Sequence, residues 1–203
     1  MKYVIGIDEV GRGALAGPVV VAAVAIPNRL SMRRGGGRAP LKDSKKLSAR
    51  QRELWFDYFM RFPELRYAVA KVYPRTIEKI NISGAANRAA LRAFKKLILL
   101  FTFNIQHAIT YLDGGLYLGN SKMLNVKWKK RLRVRTIVRA DEKITAVKIA
   151  SIIAKVTRDR LMVRLAKSYP AYGFEVHKGY GTKYHRRALK KLGPCEIHRT
   201  TFL

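Results

Sequence analysis

Residues 3–26 read YVIGIDEVGRGALAGPVVVAAVAI, two apolar runs on either side of a glycine-rich turn. Tyr3–Asp8 is short, apolar and β-branched, and a turn follows it, which predicts a strand. Pro18–Ile26 is apolar at nearly every position. Continuous rather than alternating apolarity predicts a strand buried on both faces. The link GRGALAG allows the two to pair as an antiparallel hairpin with a long connection. At the end of the first run stand two adjacent carboxylates, Asp8 and Glu9, in a chain with 13 acidic residues against 42 basic ones.

Further along, Asn28–Pro40 contains RRGGGR and reads as a flexible basic loop. Ser48 followed three residues later by Gln51 is a capping box, predicting a helix through ARQRELWFDYF. Arg66–Tyr73 alternates in part and reads as a third strand. Gly84–Phe101 is an amphipathic helix rich in alanine and leucine. Ala108–Asp113 is a fourth strand ending at Gly114-Gly115, and Arg133–Val138 a fifth. Thr145–Ala166 is a long helix whose centre, VKIASIIAKV, is too apolar for a surface helix and must be buried. Ser168–Leu203 carries turn signals at YPAYGF, HKGYGT and LGP, with a short basic helix near Tyr184–Leu192. Strands first, then helices and strands in alternation, predict an α/β fold with a mixed sheet.

The 203 residues suit one domain with a small appendage. The net charge of +29 attracts polyanions, nucleic acid or an anionic membrane surface. Basic residues spread along the whole chain favour nucleic acid. The apolar runs are too short for a membrane span, and the N-terminus lacks signal-peptide features. Cys195 is the single cysteine, so no internal disulfide or cysteine zinc cluster is expected, and a reducing, cytoplasmic setting follows. Cys195 reads as a packing residue; thiol chemistry with nearby His198 is the alternative.

Asp8, Glu9, Asp113 and Asp141 each end or open an apolar element, Asp141 at the start of the long helix. Acids so placed are hard to bury unless paired or bound to a cation. Each could simply meet one of the many Lys or Arg residues. Four of them beside GRG, GG and a helix start point instead to a shared site. The helix N-terminus would favour an ionised Asp141. Carboxylates without cysteine or a histidine pair suit a hard cation, Mg²⁺ or Mn²⁺. Two such ions about 4 Å apart serve phosphodiester hydrolysis.

GIDEVGRGALAGPVVVAAV, LKDSKKLS, ADEK…ASIIAKVTRD, YGFEVHKGYGT and LGPCEIHRTTF together closely resemble the ribonuclease HII family, over nearly the whole chain. The resemblance implies an RNase H-like mixed five-stranded sheet flanked by helices. Residues 1–166 would form the catalytic domain, and 167–203 a small helical extension completing the substrate site. It implies that Asp8, Glu9, Asp113 and Asp141 hold two divalent ions, Mg²⁺ or Mn²⁺. Asp141 is assigned by its spacing to Ser151, with Glu142 as the neighbouring alternative. Gly11-Arg12-Gly13 resembles a ribose sensor, where glycine lets backbone approach the 2′-hydroxyl that marks RNA. Tyr180 matches a tyrosine stacked by the sugar 3′ of the cut, and Lys45 and Lys46 resemble phosphate contacts. The implied substrates are RNA–DNA hybrids and duplex DNA holding single ribonucleotides, cut to 3′-hydroxyl and 5′-phosphate ends. No membrane and no obligate protein partner are implied, and a monomer is expected.

Two departures stand out. Glu78-Lys79 replaces acids and is expected to change surface charge only, and Asp113 is followed by GGLYLG. Ribonuclease HIII, a ribosome-associated basic protein and a DNA resolvase are the competing readings.

Overall fold

The computed structural model describes residues 3–28, 40–100, 108–119 and 133–203, with Leu100 described in its backbone alone. The hairpin forms as read. Strand β1 (Tyr3–Val10) pairs antiparallel with β2 (Val19–Pro27), Asp8 lying opposite Ala22. All nine residues of β2 are buried, as its unbroken apolarity requires. On its other edge β2 pairs antiparallel with β3 (Arg66–Val72). Beyond β1 come β4 (Ile109–Asp113) and β5 (Arg133–Ile137), each parallel to its neighbour. The result is the expected mixed five-stranded sheet, in the order β3-β2-β1-β4-β5.

Two helical layers cover it. Helix α1 (Ala49–Met60) starts with the predicted capping box: Gln51 N–H donates to Ser48 Oγ at 3.2 Å and Ser48 N–H to Gln51 Oε1 at 2.9 Å. Helix α2 (Pro74–Leu100) begins well before the predicted Gly84 and is broken at Asn81, whose φ is +56°. Asn81 Oδ1 accepts from Gly84 N–H at 2.9 Å, so Asn81 caps the second segment. Its alanine face, Ala85, Ala86, Ala89, Ala90 and Ala93, packs on Ile5, Ile7, Val21 and Ala23. The opposite residues of the sheet, Ala22, Val24 and Ile26, face Trp55, Phe59 and the buried helix α4 (Thr145–Ala166). Gly6 is the point of closest approach: a Cβ there would lie 2.1 Å from the Ala146 carbonyl carbon. Only glycine lets α4 cross β1 this tightly.

Asp141 does not open the long helix. It lies on a separate one-turn helix, α3 (Ala140–Lys143), because Ile144 is extended (φ −110°, ψ 117°) and restarts the chain as α4. The tail supplies α5 (Phe174–His177) and α6 (Lys183–Leu192), packed on α4 through Ala16, Met162, Phe174 and Ala188. Glu78 does more than alter surface charge. Its Oε1 accepts from Thr200 N–H at 2.6 Å and from the Thr200 hydroxyl, filling the open N-terminus of a 3₁₀ turn at Thr200–Phe202. The basic loop expected over Asn28–Pro40 lies, for residues 29–39, outside the described residues, as does Phe101. Among the described residues no helix is long and apolar enough to cross a membrane.

Candidate active site

Register places the acids. In the parallel ladder Ile7 lies beside Leu112, and both point to the α2 face. Side chains alternate along a strand, so the next pair, Asp8 and Asp113, points to the other face, toward α3 and α4. Glu9 turns back toward α2. Asp113 Oδ1 accepts from Ala140 N–H at 2.7 Å, which ties the end of β4 to α3 and so to Asp141. A site therefore forms at the carboxyl ends of two adjacent parallel strands.

The acids feel one another. Burial pushes the Asp8 carboxyl well above its ordinary value, and the charges of Glu9 and Asp113 add to this. Ser151 opposes them; its hydroxyl shares a 2.7 Å hydrogen bond with Ser44 Oγ, which leaves a proton free to face Asp8 when Ser44 donates. Burial raises Glu9 to about 7, with Arg12 and Lys45 opposing and Asp113 adding. Asp141 is raised too, by burial and then by Asp113, with Lys45 opposing. The expected help from a helix N-terminus is thus outweighed: one turn of helix is a weak dipole against desolvation and a neighbouring carboxylate.

Pairing with basic side chains accounts for half the set. Arg12 lies 3.6 Å from Glu9 and Lys45 lies 3.4 Å from Asp141. Among the described residues Asp8 and Asp113 meet no basic partner, and Glu9 Oε2 is buried with no hydrogen bond at all. An orphaned buried carboxylate oxygen whose charge is felt by Asp8 and Asp113 fits a hard cation. Among the described residues no three His, Cys, Asp or Glu side chains are grouped to hold one ion. That excludes a closed protein cage. Magnesium needs no such cage, since one or two carboxylates suffice while water and substrate phosphate complete its shell.

The remaining predicted residues surround this cluster. Lys45 and Lys46 reach Asp141 and Glu142, at 3.4 and 3.5 Å. A Cβ on Gly11 would strike Arg158 Nε at 2.3 Å, whereas one on Gly13 would meet nothing within 4 Å. Gly11 thus serves packing and Gly13 faces open space. The Arg12 side chain is turned inward, to Glu9 and Ser83 Oγ, and is not displayed to solvent as a free contact. Tyr180 bridges to Ala14, which brings its half-buried ring to the glycine loop, with Arg158 5.1 Å and Lys155 5.4 Å from its centre. Burial raises the Cys195 thiol's pKa, and it packs with Sγ 3.1 Å from His198 Nδ1. Residues not singled out as functional in the sequence also shape the site. Ser44 and Ser151 lie under Asp8, buried Asp43 caps Lys45 N–H at 3.0 Å, and Arg158 and Arg199 lie beneath the glycines. Asp43 and Ser44 sat inside the quoted LKDSKKLS, which was their signal.

A family model described as Ribonuclease HII matches residues 5–203. The chain belongs to the ribonuclease HII family. It is 42% identical over 202 residues to a Ribonuclease HII of Bacillus cytotoxicus, covering all of this chain and 69% of that one. Among solved structures it resembles that of the PCNA:RNase HII complex from Archaeoglobus fulgidus, with TM-score 0.70, 30% identity and coverage of 98% and 94% of the two chains. Bst-RNase HIII in complex with Mn²⁺ shares the fold at TM-score 0.66 and 19% identity, covering 99% of this chain and 64% of that one. As a ribonuclease HII family member the chain is a nuclease, a hydrolase.

Proposed function

We propose that this enzyme is a metal-dependent endoribonuclease that hydrolyses the RNA strand of RNA–DNA hybrids and cuts on the 5′ side of single ribonucleotides embedded in duplex DNA. It would act in the cytoplasm as a monomer without an obligate protein partner, leaving 3′-hydroxyl and 5′-phosphate ends. The observation that carries this reading is the partly unpaired acid cluster of buried Asp8, nearly enclosed Glu9 and half-buried Asp113, in a chain of net charge +29. Family membership supports it.

Asp8, Glu9, Asp113 and Asp141 would hold two ions, Mg²⁺ or Mn²⁺. Bound there, divalent ions supply the Lewis acidity that phosphodiester cleavage uses. The chain's own groups do the rest. Lys45 and Lys46 sit at the rim of the acid cluster, where their charge can draw a phosphate toward it. The Gly13 backbone, with open space before it, admits a sugar and reads its 2′-hydroxyl. Tyr180, backed by two cations, offers a face for the sugar on the 3′ side. The segment 167–203 completes the substrate site by carrying Tyr180 against the glycine loop.

The test is cleavage of an end-labelled DNA duplex carrying one ribonucleotide. Mn²⁺ or Mg²⁺ should give one cut, 5′ of the ribose, with a 3′-hydroxyl. EDTA or Asp8→Asn should abolish the cut while hybrid binding persists, and an all-DNA duplex should stay intact. Cleavage in EDTA, full activity of Asp8→Asn, or equal cutting of the all-DNA duplex would defeat the reading.

A further inference from the structure

Two arginines, Arg158 and Arg199, are completely buried, and among the described residues neither meets a carboxylate. Burying an unpaired guanidinium costs several kcal/mol. If packing were their only purpose, an apolar side chain would serve as well. Their hydrogen bonds show what they hold. Arg158 donates to the carbonyls of Pro18 (3.0 Å), Ala16 (3.0 Å) and Lys178 (2.9 Å). Arg199 donates to the carbonyl of Arg12 (2.9 Å) and twice to that of Gly17 (3.0 and 2.8 Å). Four carbonyls of the Arg12–Pro18 loop are thus drawn onto two rigid forks, and Lys178 joins the Tyr180 loop to the same frame. The link is doubled by backbone, since Leu15 and Ala16 both donate to Gly179 O, at 2.8 and 3.2 Å.

We infer that Arg158 and Arg199 are positioning residues for ribose selection: they touch no substrate, but lock the glycine loop and the Tyr180 loop into one rigid unit. The inference rests on the proposed ribose-reading role of that loop. The planar fork is the essential feature, because charge alone cannot hold two carbonyls at fixed spacing. A lysine offers a single compact donor group and loses the fork.

Arg199→Lys and Arg158→Lys should each lower kcat on the single-ribonucleotide duplex by about 100-fold, the scale of a small misplacement at a site. KM should change by no more than about twofold, since neither side chain touches the substrate. Methylguanidine should restore kcat to Arg199→Ala, and ammonium ion should not. Amide exchange of the variants without substrate should rise together in residues 11–17 and 178–181, and not in β2. Unchanged kcat, an equal rise in KM, absent rescue, exchange confined to one loop, or a Lys variant unable to fold would each overturn the inference, the last in favour of stability alone. The exchange arm needs no substrate. A wild-type enzyme that fails to cut the ribonucleotide duplex therefore defeats the functional reading without touching the loop coupling.

Discussion

Replacing Glu9 by glutamine should stabilise the metal-free protein, and only above a definite pH. Glu9 is nearly enclosed, and burial lifts its carboxyl from the usual 4.5 to about 7. A carboxyl raised on folding contributes stability that is whole below pH 4.5 and lost as pH climbs through about 7. At 1.36 kcal/mol per pKa unit the loss is about 3 kcal/mol at pH 8. For a chain of this length that is roughly 10 °C in melting temperature. In EDTA, Glu9→Gln and wild type should melt together near pH 4.5 and diverge in favour of the variant as pH rises to 8. Mn²⁺, bound at the proposed ionised site, should restore wild type at pH 8 while adding little to the variant. Thermal melts at four pH values, with EDTA and with Mn²⁺, make the comparison. A gap that does not change with pH, or a Mn²⁺ gain equal in both proteins, would refute the idea that this acid destabilises the fold in order to bind a cation.

Acid should loosen the tail, because burial first, then the charges of His177 and His198, drive His185 down to about 4. A lowered histidine gives stability that is intact above pH 6.5 and lost as pH falls toward 4, about 3 kcal/mol here, so urea midpoints should drop across that window and flatten in His185→Gln. Gly6→Ala should cost at least about 3 kcal/mol, the upper range for overpacking, since the new Cβ strikes helix backbone; a urea midpoint like wild type would contradict that contact. Tyr180→Ala should slow cleavage at single ribonucleotides more than in long hybrids, and equal losses on both would remove its junction-reading role.

The sheet was legible because its strands declare themselves locally. The short unbroken apolar run in β2, bounded by turn residues, reads as a strand covered on both faces, and the capping box marks the start of α1. Asp8, Glu9 and Asp113 drew attention because they stand at the ends of apolar strands, whereas Asp141 was placed at a helix start that the fold moves elsewhere. Tertiary contacts decided what was not. Nothing local says that Ile144 extends and cuts Asp141 off from the long helix, nor that Glu78 finds Thr200 at the far end of the chain. Arg158 and Arg199 look like any of 42 basic residues until folding encloses them. Charge counting in fact points the wrong way there, since buried guanidiniums without acids run against their usual exposed placement. The raised Asp141 was likewise hidden, because burial on folding and then the charge of Asp113, at the end of β4, set it.

Anomalous scattering from crystals soaked in Mn²⁺ would bear most directly on the four carboxylates. Two peaks should appear within coordination distance of oxygens from Asp8, Glu9, Asp113 and Asp141, and both should weaken in Asp8→Asn. Density elsewhere on the molecule, or none while the soaked enzyme still cuts a ribonucleotide duplex, would contradict a metal site built from these acids.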